Sequence, residues 1–170
     1  EGPRPVWLPM VQDPDSPAAQ TYRTLRTRMA QLGDRQGRAP RLIGVVSSRA
    51  GEGAATVAVN LALARVQLGE RVLLVDGHLD APTLRATLVS AGMEASHACG
   101  DESEAVPGRR TRAESQREPT GLAECMDGTS EWTEAAQPTG FPSLTALYAG
   151  RTSIVSADLF ASRHFRAFCA

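Results

Sequence analysis

The sequence lacks several features that would identify a class of protein at once. Its apolar runs all stay short of the ~20 residues that a helix needs to span a bilayer, and it has no secretory signal pattern. The net charge is only −1, so nucleic acid is not expected as a partner. The three Cys have no paired spacing, which is typical of reduced thiols in a cytoplasm.

The length and composition predict one globular domain over residues 1–170. A chain of 170 residues with 42% hydrophobic and 22% charged residues can bury a substantial core. Residues 1–15 contain four Pro and are predicted to form an extended lead-in. Residues 92–120 lose all periodicity and predict a flexible insertion. The first residue is Glu rather than Met, so we expect a piece of a longer protein, with part of the fold outside it.

The pattern around which the chain is organised is a Gly-containing segment at residues 47–56. Residues 42–47 before it predict a buried strand, and residues 57–68 after it predict a helix that ends at Gly69. Strand, glycine loop and helix form the context of a phosphate-binding loop, in which backbone N–H groups converge on anionic oxygens. Ala54 and Ala55 stand where such loops have Lys and Ser or Thr. The pattern therefore predicts the backbone cradle without its two chemical groups.

Other periodic segments predict an α/β fold with parallel strands. A β-helix-β order implies a right-handed parallel unit. A helix should start at Ser16-Pro17 and end near Gly33. The remaining predicted elements are strands over 71–76 and 144–148, short helices over 82–88, 121–126 and 131–136, and one final helix from Ser156 onwards.

Asp76 is the acidic residue with a functional position in this scheme. It ends the second predicted strand, at the edge where ligands of open α/β sheets bind, and an Asp there can assist Mg²⁺ or an attacking water. It can equally cap the following turn, and both roles stay open. No metal site is predicted, because His97 and Cys99 alone fall short of a zinc signature.

Several segments in order resemble the cytoplasmic P-loop domain of bacterial tyrosine kinases and polysaccharide co-polymerases. The resemblance covers nearly the whole chain except residues 92–120. The segments are Tyr22-Arg23-Thr24-Leu25-Arg26-Thr27, Ile43-Gly44-Val45-Val46-Ser47, Gly51-Glu52-Gly53, Asn60-Leu61-Ala62, Val72-Leu73-Leu74-Val75-Asp76, Pro82-Thr83-Leu84, Gly121-Leu122 and Ala149-Gly150-Arg151.

This resemblance implies a doubly wound P-loop fold, with a mostly parallel sheet and helices on both faces, and a set of functions and positions. The family binds ATP and Mg²⁺, phosphorylates its own Tyr-rich tail, forms rings and controls capsule or exopolysaccharide length at the inner membrane. Its oligomer contacts would fall on Gln20, Arg23 and Arg26, with Gln20 in place of the family's Glu. The degenerate nucleotide or phosphate site would comprise Arg49, Gly51, Glu52, Gly53, Ala54, Ala55 and Thr56.

The departures from the family pattern predict that no catalytic site is intact. Besides the two loop alanines, His78 replaces a second Asp, which leaves Asp76 as the retained acidic candidate. The later acidic strand of the family would fall after Ala170, and no Tyr cluster is present. An engineered double-Ala loop is conceivable, but His78 and Asp80 also depart from the pattern, which favours natural degeneracy.

The leading hypothesis is a pseudokinase-like scaffold or regulator in capsule or exopolysaccharide assembly. It would be cytoplasmic, at or tethered to the inner membrane, and would bind a membrane co-polymerase or active family members. No cofactor is expected, ATP and Mg²⁺ should bind weakly, and any homo-oligomer should be weakened. One alternative is an active kinase or ATPase that uses Arg49 or a neighbouring subunit. Another is a partitioning-type positioning ATPase, against which the Tyr22–Thr27 pattern argues.

Overall fold

The computed structural model describes residues 6–33, 40–93, 120–151 and 156–169. Within these ranges the chain forms a mixed α/β fold. The strands are β1 (Val72–Val75), β2 (Gln137–Pro138) and β3 (Leu144–Leu147). The helices are α1 (Pro9–Gln12), α2 (Pro17–Ala30), α3 (Ala54–Val66), α4 (Leu84–Ser90), α5 (Leu122–Asp127), α6 (Trp132–Ala135), α7 (Ser156–Phe160) and α8 (Arg163–Cys169).

The three strands form one small mixed sheet in the order β1-β3-β2. β1 and β3 are parallel, with Val72 opposite Leu144 and Val75 opposite Leu147. β2 runs antiparallel to β3. The predicted α/β class and the two predicted strands over 71–76 and 144–148 are therefore confirmed.

Helices pack on both faces of this sheet. Along β1, Val72 and Leu74 pack with the core cluster that includes side chains of α1 to α4, whereas Leu73 and Val75 pack with side chains of α5 to α8. This division follows from the alternation of side chains along a strand. The sheet thus lies between two apolar layers, and β1 is apolar on both sides.

The predicted strand over residues 42–47 is wrong. The segment runs without a ladder partner and belongs to no sheet in the described part of the chain. Leu42 is 69% exposed and Val46 is 91% exposed. An apolar run becomes a strand only where a neighbour supplies hydrogen bonds and cover, and β1 pairs with β3 rather than with this segment.

The lead-in predicted as extended contains a helical turn, α1, at residues 9–12. Pro9 is its first residue, a position that tolerates Pro because the N–H there has no intrahelical acceptor. The backbone N–H of Met10 donates to Oδ1 of Asn60 at 3.2 Å, and Asn60 is fully buried in α3. A buried amide of α3 therefore holds this turn against the core.

The other helix predictions are confirmed with small shifts, apart from the last. Ser16 caps α2 by accepting a hydrogen bond from the N–H of Ala19 at 3.2 Å. The predicted single final helix is instead two helices, α7 and α8. Between them, the hydroxyl oxygen of Ser162 accepts a hydrogen bond from the N–H of Phe165 at 3.1 Å.

The predicted insertion falls almost entirely on residues 94–119, which lie outside the described residues. Among the described helices, none combines the length and apolarity that crossing a membrane requires.

Candidate functional site

The glycine loop enters α3 with the backbone geometry that its sequence predicts. Gly51 and Gly53 have φ of 83° and 93°, a left-handed conformation that glycine adopts without steric cost. Gly53 is the N-cap of α3, and Ala54 is the first helical residue. The loop and helix of the predicted phosphate-binding context are thus present, while the strand before them is not.

The loop holds a carboxylate of its own. Oε2 of Glu52 accepts hydrogen bonds from the backbone N–H of Ser48 at 3.0 Å and of Arg49 at 3.1 Å. The hydroxyl of Ser48 lies 3.1 Å from the same oxygen and donates to it. Successive backbone N–H groups around one anion are the arrangement that binds phosphate in other loops. Here the anion is the carboxylate of Glu52, a side chain of the same loop, and the sequence pattern did not predict these hydrogen bonds.

The side chains that would grip a triphosphate are missing from this loop. Ala54 and Ala55 offer methyl groups, and none of the 18 basic residues of the chain is Lys. Arg49 is the cation of the loop and is exposed. Since Lys supplies a point charge to the phosphates and Ser or Thr a ligand to Mg²⁺, the loop retains donors of the backbone only.

Asp76 lies at the carboxyl end of β1 with its carboxylate engaged by the backbone. It is 6% exposed, and its Oδ1 accepts from the N–H of His78 at 3.1 Å. Its Oδ2 accepts from the N–H groups of Thr83 at 3.1 Å and Leu84 at 2.9 Å. The carboxylate therefore joins the end of β1 to the start of α4, which is the capping role. A role toward Mg²⁺ or water stays a prediction.

A second carboxylate organises the same edge of the sheet. Glu124 accepts from the N–H of Gly121 at 2.8 Å and, through its other oxygen, from the N–H of Arg151 at 2.9 Å. The N–H of Leu122 donates to the carbonyl of Tyr148 at 2.7 Å. Two segments that are distant in sequence thus form one junction between α5 and the end of β3. The sequence signal for it is a Glu three residues after the N-cap of the helix, Gly121.

The predicted oligomer residues lie on α2, and both arginines contact their own chain. Nη1 of Arg26 donates to the carbonyl of Ala64 at 2.6 Å. Arg23 donates to the carbonyl of Pro14 at 2.7 Å and to Oε1 of Gln67 at 3.4 Å, whereas Gln20 is exposed. Because Ala64 follows the glycine loop by most of the length of α3, roughly 15 Å, the structure does not bring these residues to the loop.

Two side chains near these elements have shifted acidity. Burial raises the pKa of the Cys125 thiol on α5, and the nearby carboxylates of Glu124, Glu131 and Asp127 raise it further. Burial also raises the pKa of the Tyr22 hydroxyl on α2. Both changes favour the neutral, unreactive forms. In the described residues, no three His, Cys, Asp or Glu side chains lie together in a way that could hold a metal ion.

The fold resembles that of bacterial tyrosine kinase domains, and part of the sequence is similar to a bacterial tyrosine kinase, the family that the sequence motifs resemble. Tyrosine-protein kinase YwqD of Bacillus subtilis (strain 168) is 38% identical over 73 residues, which are 42% of this chain and 30% of that protein. No protein-family model matches the chain.

Two solved structures share the fold at lower identity. The BceF tyrosine kinase domain has a TM-score of 0.69 at 20% identity, and the match covers 95% of this chain and 53% of that one. The chimerical protein CapA2B2 has a TM-score of 0.65 at 22% identity, covering 95% of this chain and 58% of that one. The chain therefore spans less than two thirds of each of these relatives.

Proposed function

We propose that this chain is a catalytically impaired domain of the bacterial tyrosine kinase type that acts as a scaffold or regulator in capsule or exopolysaccharide assembly. The single observation that carries the impairment is the loop at residues 48–55. It keeps its glycine geometry but has Ala54 and Ala55 in place of the reactive pair, and it binds the carboxylate of Glu52. A relative named as a tyrosine-protein kinase supports the class.

The residues present do not fit a Mg²⁺-bound triphosphate. The loop offers no Lys, and position 55 has no hydroxyl for the metal. The carboxylate of Asp76 already accepts three backbone hydrogen bonds, and His78 adds no acidic ligand beside it. Removing one positioned electrostatic group commonly costs about 10²–10³ in rate, so the combined losses favour a non-catalytic role.

Calorimetric titration with ATP and Mg²⁺ tests this proposal. For the natural chain we expect no binding stronger than a Kd of about 1 mM. The double variant Ala54→Lys, Ala55→Ser should bind at least about tenfold more tightly, because it restores one charge and one metal ligand. Ala54→Met, Ala55→Ser is the matched control, with a side chain of similar length and no charge. Micromolar binding by the natural chain, or phosphate release from ATP, would contradict the proposal.

The alternative is an active kinase or ATPase in which Arg49 supplies the missing charge. The exposed position of Arg49 on the glycine loop favours it, since guanidinium binds phosphate oxygens well. It predicts ATP binding by the natural chain that disappears in Arg49→Ala. Binding by the natural chain that persists in Arg49→Ala would exclude Arg49 as the source of that charge.

The proposed partner is a membrane polysaccharide co-polymerase or an active member of the family, at the cytoplasmic side of the inner membrane. A domain without catalysis acts through binding, so the prediction is physical association with an active kinase of this type. Co-purification of the natural chain with such a kinase, and a changed extent of its phosphorylation, would support a regulatory role. If the phosphorylation of an active partner and the length of the polysaccharide were the same with and without this chain, the proposal would be contradicted.

A further inference from the structure

Glu52 is the side chain on which the hydrogen bonds of the glycine loop converge. Its Oε2 accepts from the backbone N–H groups of Ser48 at 3.0 Å and Arg49 at 3.1 Å. The hydroxyl of Ser48 donates to the same carboxylate and lies 3.1 Å from Oε2 and 3.3 Å from Oε1. One carboxylate therefore closes the turn that runs from residue 48 to residue 52.

Packing against the described part of the chain gives this loop little support. Residues 46–52 are exposed, and a Cβ added at Gly51 or Gly53 would meet no atom within 4 Å. Both glycines have positive φ, and glycine has the most conformational freedom to lose on folding. The order of the loop therefore depends on the hydrogen bonds that the loop makes within itself.

The carboxylate of Glu52 is bound in the way that such loops bind a free anion. Backbone N–H groups of consecutive residues that point at one acceptor form a concavity for anions. Here the acceptor belongs to a residue only three or four positions from its donors. Because an attached group acts at a high effective concentration, a free anion displaces it poorly. The N–H groups of Ser48 and Arg49 are thus satisfied without a ligand.

We propose that Glu52 orders the glycine loop from within, as a substitute for the bound anion that orders other loops of this kind. Glu52 is then a positioning residue and does not contact a ligand. The proposal rests on the proposed function in one respect, namely that no triphosphate supplies the anion. It follows that the loop keeps one conformation whether or not nucleotide is present.

Solvent exchange of individual amides, measured by NMR on the purified chain, tests this role. We expect the amides of Ser48 and Arg49 to exchange at least about fivefold faster in Glu52→Ala, because both lose their acceptor. Glu134→Ala is the matched control and should leave these two amides unchanged. Glu134 is exposed on α6, which packs into the apolar layer opposite to that of α3.

Acetate separates the proposed role from a general loss of stability. In Glu52→Ala the two N–H groups lack an acceptor, so about 100 mM sodium acetate should slow their exchange relative to the same concentration of sodium chloride. In the natural chain Glu52 already occupies these donors, and acetate should have no effect. The amide of Asp76 donates to the carbonyl of Leu147 and should stay protected throughout, which shows that each variant is folded.

Two results would overturn the role of Glu52. One is equal exchange of the Ser48 and Arg49 amides in the natural chain and in Glu52→Ala. The other is faster exchange in Glu52→Ala that acetate does not slow. Failure of the proposed function gives a different result: the natural chain would bind ATP and Mg²⁺, while Glu52→Ala would still accelerate exchange at both amides and acetate would still slow it.

Discussion

Gly121 is a residue at which backbone packing leaves no room for a side chain. A Cβ added there would overlap the carbonyl oxygen of Tyr148 and the backbone nitrogen of Gly150. The carbonyl of Tyr148 accepts the N–H of Leu122 and so holds the start of α5 against the end of β3. The glycine is needed here for close approach of two backbones, since its φ of −146° is open to any residue.

Gly121→Ala should therefore destabilise the fold by about 3 kcal/mol, because the junction must open to admit the methyl group. Urea unfolding followed by circular dichroism measures the free energy of unfolding. Gly44→Ala is the control, because a Cβ at Gly44 meets no atom within 4 Å. If both variants were equally stable, the packing of this junction would not be as described.

Glu52 and Asp76 show how the contribution of a carboxylate depends on its surroundings. Each carboxylate accepts three hydrogen bonds, two or more of them from backbone N–H groups. Hydrogen bonds to a charged group contribute about 1.5–3 kcal/mol where they are well formed and shielded. Asp76 is buried and can contribute at that level, whereas Glu52 is exposed and competes with water.

At the scale of elements, the pairing of α2 with α3 depends on an arginine that the family resemblance assigns to oligomer contacts. Arg26 reaches the carbonyl of Ala64, close to the carboxyl end of α3, where a cation also interacts favourably with the helix dipole. Its Nε is buried and has no hydrogen-bond partner among the described residues. The bond and the unpaired nitrogen have opposite effects on stability.

Arg26→Ala should consequently cost a net of about 1–2 kcal/mol, which is less than a fully satisfied charged hydrogen bond would contribute. Thermal and urea unfolding would measure this loss. Arg28→Ala, on the exposed side of the same helix, is the control and should change stability by less than about 0.5 kcal/mol. A loss of oligomer without a loss of stability in Arg26→Ala would instead favour the oligomer role.

At the scale of the whole molecule, β3 is the element that joins the two apolar layers. It lies between the other two strands, and Ala146 and Leu147 on it are fully buried, one in each core cluster. Residues that are central to both layers cannot be exposed unless both layers separate. The stability of the described fold should therefore be shared across the sheet.

We expect the amides of Ala146 and Leu147 to exchange with solvent only through global unfolding. Their free energy of opening from native-state hydrogen exchange should equal the free energy of unfolding from urea. Amides of Thr24 and Thr27 on the exposed side of α2 should open at lower free energy. A lower value at β3 than at α2 would show that the two layers separate before the periphery frays.

The sequence by itself determined the features that depend on a few neighbouring residues. The helix start at Ser16-Pro17, the glycines that turn the loop into α3, and the strands at residues 72–75 and 144–147 follow from local conformational preference and apolar pattern. The absence of the loop Lys and hydroxyl can likewise be recognised from the sequence, because it depends only on which residues stand at positions 54 and 55.

Only the tertiary structure decided the features that depend on which elements meet. Whether residues 42–47 form a strand depends on a partner for their backbone, and no strand of the described sheet pairs with them. The hydrogen bond from the N–H of Arg151 to Glu124, and the one from Arg26 to the carbonyl of Ala64, depend likewise on groups that are distant in sequence and are brought close by folding. A one-dimensional pattern records which side chains are apolar or charged, but hydrogen bonds are made between neighbours in space.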